Sequence, residues 1–164
     1  MGSLPLPSRQ GALAGGGDVA EGWYSLEAAR EVAQANPEVG GFTWRGPPDA
    51  PEDTYTYVHF KPPGQGCNQD AEWSHQLMIS LPEVGGGSRL EAFPGALVAG
   101  GDIAEGWYSL EEACRLLLSD ARMGGFCWHG VVNEAGQVYA HFKPPAHAGN
   151  EDADWTRVVL RADT

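Results

Sequence analysis

Fourteen residues, GGDVAEGWYSLEAA at 16–29, return as GGDIAEGWYSLEEA at 100–113, with only Val19 exchanged for Ile103 and Ala28 for Glu112. Whatever these stretches fold into must be built twice. Sliding the chain by 84 places aligns residues 11–46 with 95–130, and 20 of the 36 pairs are identical, so the chain carries an internal duplication. After a shift of two residues in the intervening loop, HFKPP at 59–63 matches 141–145 and Trp73 matches Trp155. Each copy therefore holds GWYSLE, GGFxW, HFKPP and an acidic loop closing on Trp. The segment LPEVGGGSRLEAFP has linker composition. The expected organisation is a first unit at 1–80, a linker at 81–94 and a second unit at 95–164. A length of 164 residues with 42% hydrophobic residues and six Trp supplies cores for two small units.

Within a copy, Ser109 is a good N-cap and Glu112 completes a capping box, so the spacing predicts a helix from Leu110. Copy one keeps Ser25 and Glu27 but has Ala28 at the box position. Leu26, Ala29 and Ala33, like Leu110, Ala113 and Leu117, fall on one apolar face. Asn36-Pro37 is expected to stop the first helix and Gly124 the second. Extended runs follow at 42–45, 55–61 and 73–80, with counterparts at 126–129, 137–143 and 155–161. Alternation sets Val58 and Phe60 against Tyr57, His59 and Lys61. Residues 12–14 and 96–99 add a further strand. The fold expected is α+β: two tandem copies of one helix on a three- to four-stranded antiparallel sheet. Because a unit of about 70 residues has a marginal core alone, the copies are expected to pack as a pseudo-twofold pair.

The run SLEEACRLLL followed by GGFCWHG resembles PAN/apple-like modules over roughly a third of each copy. That resemblance implies secreted adhesion units that bind proteins or sugars and are braced by a helix-to-sheet disulfide, here between Cys114 and Cys127. The residues themselves point the other way: Cys127 alternates with Phe126 and Trp128, away from the helix, and copy one has Arg30 and Thr43 at the two positions. The WYSLEEA, GGFxW and HFK pattern is also similar to uncharacterised tandem repeats of protist and algal proteins, which implies no activity.

A formal charge of −12 and a pI near 4.6 argue against nucleic acid and anionic membrane surfaces as partners. Cys67, Cys114 and Cys127 are odd in number and lack CxxC spacing, so neither a disulfide framework nor a zinc site is expected. A reducing compartment follows, cytoplasmic or the interior of an organelle. The N-terminal residues have neither the basic start nor the apolar run of a secretory signal, and Leu6 stands where a myristoylation motif wants Ser or Thr. With no run near 18 apolar residues, membrane insertion is not expected.

The Gly-rich AGGGDVAEG lacks both GxGxxG and GKS/T, and Asp18 and Glu21 would repel a phosphate, so turn chemistry is expected. NQDAEW and NEDADW place oxygens at alternate positions, which makes Asn68, Asp70, Glu72, Asn150, Asp152 and Asp154 weak calcium candidates beside the plainer reading of a solvated acidic turn. His59 and His141, with Lys61 and Lys143, are candidate binding residues on a strand face. The copies share no nucleophile for these histidines to activate, so neither catalysis nor a cofactor is expected. In Trp23/Tyr24 and Trp107/Tyr108, one ring of each pair is expected outside as a contact anchor. Leu116, Leu117 and Leu118 cannot share one stripe, which sends Leu118 or Leu116 to the other copy or to a partner. The function expected is a non-catalytic tandem module mediating protein–protein contacts, as an accessory subunit of a larger assembly. A lectin-like carbohydrate binder is the alternative and a hydrolase a distant third.

Overall fold

The computed structural model describes residues 3–13, 17–64, 66–68, 70–80, 88–97, 101–133, 135–145, 149–152 and 154–162. The fold is α+β, with two antiparallel sheets that each carry one helix. In chain order the first sheet contains β1 (Ser3–Pro5), β2 (Arg9–Gln10), β3 (Ala20–Ser25), β4 (Gly41–Arg45), β5 (Tyr55–Lys61) and β6 (Trp73–Ser80), with α1 (Leu26–Ala35) following β3. Its strand order is β1-β6-β4-β5-β3, and β2 also pairs with β6. The second contains β7 (Ser88–Pro94), β8 (Ala104–Ser109), β9 (Gly125–His129), β10 (Gln137–Lys143) and β11 (Trp155–Ala162), with α2 (Leu110–Ser119) after β8. Its order is β7-β11-β9-β10-β8.

These sheets of six and five strands are larger than the three to four strands expected. Part of the excess comes from AEGWYS, read from sequence only as the approach to a helix, which is the edge strand β3 and again β8. Gly22 and Gly106 interrupt the alternation that would have marked these strands, and pairing with β5 and β10 supplies the order instead. Another part comes from the stretch with linker composition. Its residues 88–94 form β7, hydrogen-bonded along its whole length to β11 from Ser88↔Ala162 to Pro94↔Thr156. Pro94 is tolerated because β7 is an edge strand. Of the strands expected at 12–14 and 96–99, the isolated bridges Leu13↔Cys67 and Leu97↔Gly149 are present. Residues 14 and 98–99, the linker residues 81–87 and Gly15, Gly16 and Gly100 of the Gly-rich turns lie outside the described residues.

Both helices start where their caps place them. Ser25 accepts from the Ala28 amide, while Ser109 and Glu112 make the full reciprocal box. The first ends before Asn36 as expected. The second ends before Asp120, four residues ahead of Gly124, because Asp120 turns the chain by accepting from the Arg122 amide through its side chain and from Met123 through its carbonyl. The glycine pair of GGFxW has a steric cause: a Cβ on Gly40 would lie 2.4 Å from Pro63 Cα, and one on Gly124 2.3 Å from Pro145 Cα. GGF and HFKPP recur together because one backbone presses on the other.

Leu26, Ala29 and Ala33 of α1 bury against Phe42, Trp44, Val58 and Phe60. The larger cluster joins Leu110, Ala113 and Leu117 of α2 to Phe126, Trp128, Val138 and Phe142, and it also takes in Leu4, Leu6, Leu13 and Ile79 from the first half. Each such buried side chain contributes about 1.5–3 kcal/mol, so the halves share a core of consequence. Polar contacts cross the same junction: the Cys67 thiol donates to the Val132 carbonyl, and Arg9 donates to the Trp155 carbonyl and the Thr156 hydroxyl. The three cysteines are free and buried, with Cys114 and Cys127 in separate clusters. Burial pushes the Cys67 thiol up to about 11 and Cys114 up to about 12. Among the described residues no helix is long and apolar enough to cross a membrane.

Candidate functional site

Strand β5 sends Val58 and Phe60 into the core beneath α1, which leaves Tyr57, His59 and Lys61 on the opposite face of the sheet. Lys61 is nevertheless only 4% exposed. An ammonium that deep needs a partner, and the turn before β3 supplies it. Gly17, at φ +68, turns the chain so that the Asp18 carboxylate receives a hydrogen bond from Lys61 Nζ with one oxygen and lies 2.8 Å from His59 Nδ1 with the other. Glu21 Oε2 lies 3.2 Å from the same imidazole nitrogen. With two carboxylate oxygens against it, Nδ1 carries a ring proton and donates toward them.

The second copy repeats the arrangement almost atom for atom. Gly101 has φ +71, Lys143 is 3% exposed and bonds Asp102, His141 Nδ1 is 2.9 Å from Asp102 Oδ2, and Glu105 is again 3.2 Å away. In both copies burial pushes the Asp carboxyl up, but hydrogen bonds from the Lys and His outweigh it and hold Asp18 and Asp102 below the ordinary carboxylate value. Asp18, Glu21 and His59, and likewise Asp102, Glu105 and His141, present donor atoms close enough together to hold a metal ion. The Lys ammonium already on each Asp supplies the positive charge that such an ion would bring.

Asp18, His59 and Lys61 line a cleft of about 530 Å³ in the first copy, and Asp102, His141 and Lys143 line one of about 290 Å³ in the second. Trp73 closes one side, its ring centroid 6.0 Å from that of His59, and Trp155 stands 5.9 Å from His141. Another wall is a two-way backbone tie: Asn68 Oδ1 accepts from the Ala12 amide and the Asn68 amide donates to the Ala12 carbonyl, as Asn150 does with Ala96. Leu13 and Leu97 complete the walls, and Thr43 in the first cleft is replaced by Cys127 in the second. Eight lining positions correspond one to one between the copies. The Thr43 hydroxyl donates to the Ser74 carbonyl, and burial raises the Cys127 thiol, so neither offers an activated nucleophile at neutral pH.

The residues singled out in the sequence divide between this site and the core. His59, Lys61, His141 and Lys143 line the clefts. Of the adjacent aromatics, Trp23 and Trp107 face outward at 60% and 59% exposure, whereas Tyr24 and Tyr108 pack edge-on against Phe60 and Phe142. Leu116 and Leu118 are half-buried against the larger core cluster. The alternate oxygens of the acidic loops build turns: Asn68 Oδ1 also accepts from the Asp70 amide, Asp70 from Glu72, Asn150 from Asp152 and Asp152 from Asp154. Glu72 pairs with Arg45. Sequence reasoning missed Asp18 and Asp102, taken only as turn residues, and the second role of Trp73 and Trp155. The retained opposite charges were the available signal, because both copies keep the Asp and the Lys while much of the intervening chain differs.

No protein-family model matches this chain, and no curated protein and no solved structure matches it.

Proposed function

We propose that the chain is a non-catalytic tandem binding module whose two sequence copies are equivalent units of a pseudo-twofold pair, each holding carbohydrate in its cleft. The observation that carries this reading is the recurrence of the same eight lining positions in both halves, while residues 30–39 and 114–123 differ at every one. A structural need alone does not account for a polar cleft with one aromatic wall, since burying a Lys–Asp pair is a weak source of stability. The chemistry suits an uncharged, hydroxyl-rich ligand. Asp and Lys neutralise each other, His, Asn and carboxylate oxygens offer both donors and acceptors, and a Trp ring offers an apolar face for the C–H surface of a sugar. The cleft volumes lie near or within the roughly 300–1,000 Å³ of small-ligand sites.

Glycan-array screening followed by calorimetry tests this. The expected result is binding to neutral glycans that is lost in the double variant His59→Ala, His141→Ala while the melting temperature is kept. Binding that survives that variant, or no glycan bound at all, rejects the reading. A second reading, protein–protein contact as an accessory subunit, is favoured by the positions of β3 and β8 at the ends of their sheets with exposed Trp23 and Trp107 on them. Co-purification of a protein that is lost on Trp23→Ala, Trp107→Ala and kept on His59→Ala, His141→Ala would favour it.

A further inference from the structure

Each sheet ends in two edge strands, and the chain treats its inner and outer edges differently. The inner edges are short or interrupted: β1 has three residues and ends on Pro5, and β7 ends on Pro94. These two strands also approach one another where the halves meet. The outer edges, β3 and β8, are six residues long, share the sequence AEGWYS and contain no Pro, Lys or Arg, the residues that ordinarily keep an open edge from pairing. Among the described residues β3 pairs only with β5 and β8 only with β10, so alternate amides and carbonyls of both strands point outward. Alternation sets Glu21 beside Trp23 on one face, and Glu105 beside Trp107. Both Trp rings are exposed, and the Glu side chains are half exposed.

Resting on the protein-contact reading and extending it, we propose that β3 and β8 each take up an extended, Lys- or Arg-rich segment of a partner protein as an added strand, with basic side chains opposite Glu21 and Trp23 or opposite Glu105 and Trp107. Charge complementarity selects this occupant. Each edge offers a carboxylate and the π face of a Trp side by side, both of which attract a cation, and neither strand carries a basic residue of its own. A net charge of −12 draws basic segments in and repels acidic ones. The same charge makes a second copy of this chain a poor occupant, since its outer edges carry the same Glu. In such an addition the backbone ladder supplies affinity, and the alternate side chains supply selectivity.

The test is selection of peptides from a displayed random dodecapeptide library on the full chain, followed by calorimetry with the synthesised peptides. The enriched peptides are expected to carry Lys or Arg at every second position, to bind at both edges, and to weaken roughly tenfold between about 50 and about 500 mM salt. The double variant Trp23→Ala, Trp107→Ala is expected to lose roughly tenfold in affinity, while His59→Ala, His141→Ala keeps it. Should the Trp variant fail to fold, Glu21→Gln with Glu105→Gln is expected to lose roughly threefold. N-methylation of every second peptide amide is expected to abolish binding in one register and to spare it in the other, because only one set of amides faces the sheet. Enrichment of no peptide, enrichment without a basic pattern, or equal effects of the two methylation registers overturns strand addition. A dimer of the chain that is dispersed by the Trp variant also overturns it, in favour of a second copy. Failure of the peptides beside a protein that co-purifies through Trp23 and Trp107 overturns the added strand and leaves the contact reading standing. Failure of the peptides with no such protein ends both.

Discussion

The two clefts agree in their charged residues and differ in what surrounds them. Asp18, His59 and Lys61 superimpose in role on Asp102, His141 and Lys143, with interatomic distances that differ by 0.1 Å at the Asp–His contact. The back wall and the aromatic neighbours of Trp23 and Trp155 change instead. Thr43 becomes Cys127, and the cleft shrinks from about 530 to about 290 Å³. Tyr55 stacks on Trp23 at 5.8 Å in the first copy where the second has Gln137. His129 packs edge-on against Trp155 at 5.4 Å where the first has Arg45, paired with Glu72. One copy thus adds an aromatic contact beside Trp23 on the edge strand, and the other adds one beside Trp155 at the cleft. The buried ion pair has few alternatives, because each charge depends on the other, whereas rim positions exchange at little cost in stability.

The largest expected effect comes from breaking that pair. Asp18→Asn leaves the Lys61 ammonium buried against a neutral amide and is expected to cost about 2–3 kcal/mol, read as a fall in melting temperature. Lys61→Met is expected to cost less, since it leaves Asp18, whose side chain is 22% exposed, with some access to water. Asp102→Asn should match Asp18→Asn. A second-copy effect under half the size of the first would break the equivalence.

Acid does the same chemistry without mutation. Asp18 and Asp102 have folded values below the ordinary one, so their contribution is fully present above the unfolded value of about 4 and is lost as pH falls through the folded value. The double variant Asp18→Asn, Asp102→Asn should show a flatter stability profile over that acid range than the native chain. An unchanged acid limb would mean that other carboxylates govern it.

The helix starts differ by a smaller amount. Glu112→Ala removes one arm of the box and is expected to cost about 0.5–1 kcal/mol, while Ala28→Glu is expected to gain a few tenths. Amide exchange across α1 and α2 checks this, with α2 expected to exchange more slowly in the native chain. The smallest effect belongs to Tyr55→Gln, which copies the second unit into the first. Tyr55 is 67% exposed, so stability should stay within about 0.5 kcal/mol. A larger loss would show that the outer rings stabilise the sheet.

The sequence alone determined the local elements and their faces. Ser25 and Ser109 set the helix starts, the bounds of β5, β6 and β10 follow from apolar runs between turns, and alternation along β5 separates Val58 and Phe60 from His59 and Lys61. Each of these depends on neighbours within a few residues. Only the tertiary structure decided that Lys61 is buried, that Asp18 is its partner, that 88–94 is a strand, and that Leu4, Leu6 and Ile79 join the core of the other half. Asp18 and Lys61 stand 43 residues apart, and their contact depends on β3 pairing with β5 in the register that sets Ala20 opposite Phe60. A strand's outward face can be read from its alternation. What covers that face is fixed by the register of strands distant in sequence, whose hydrogen bonds leave no local pattern.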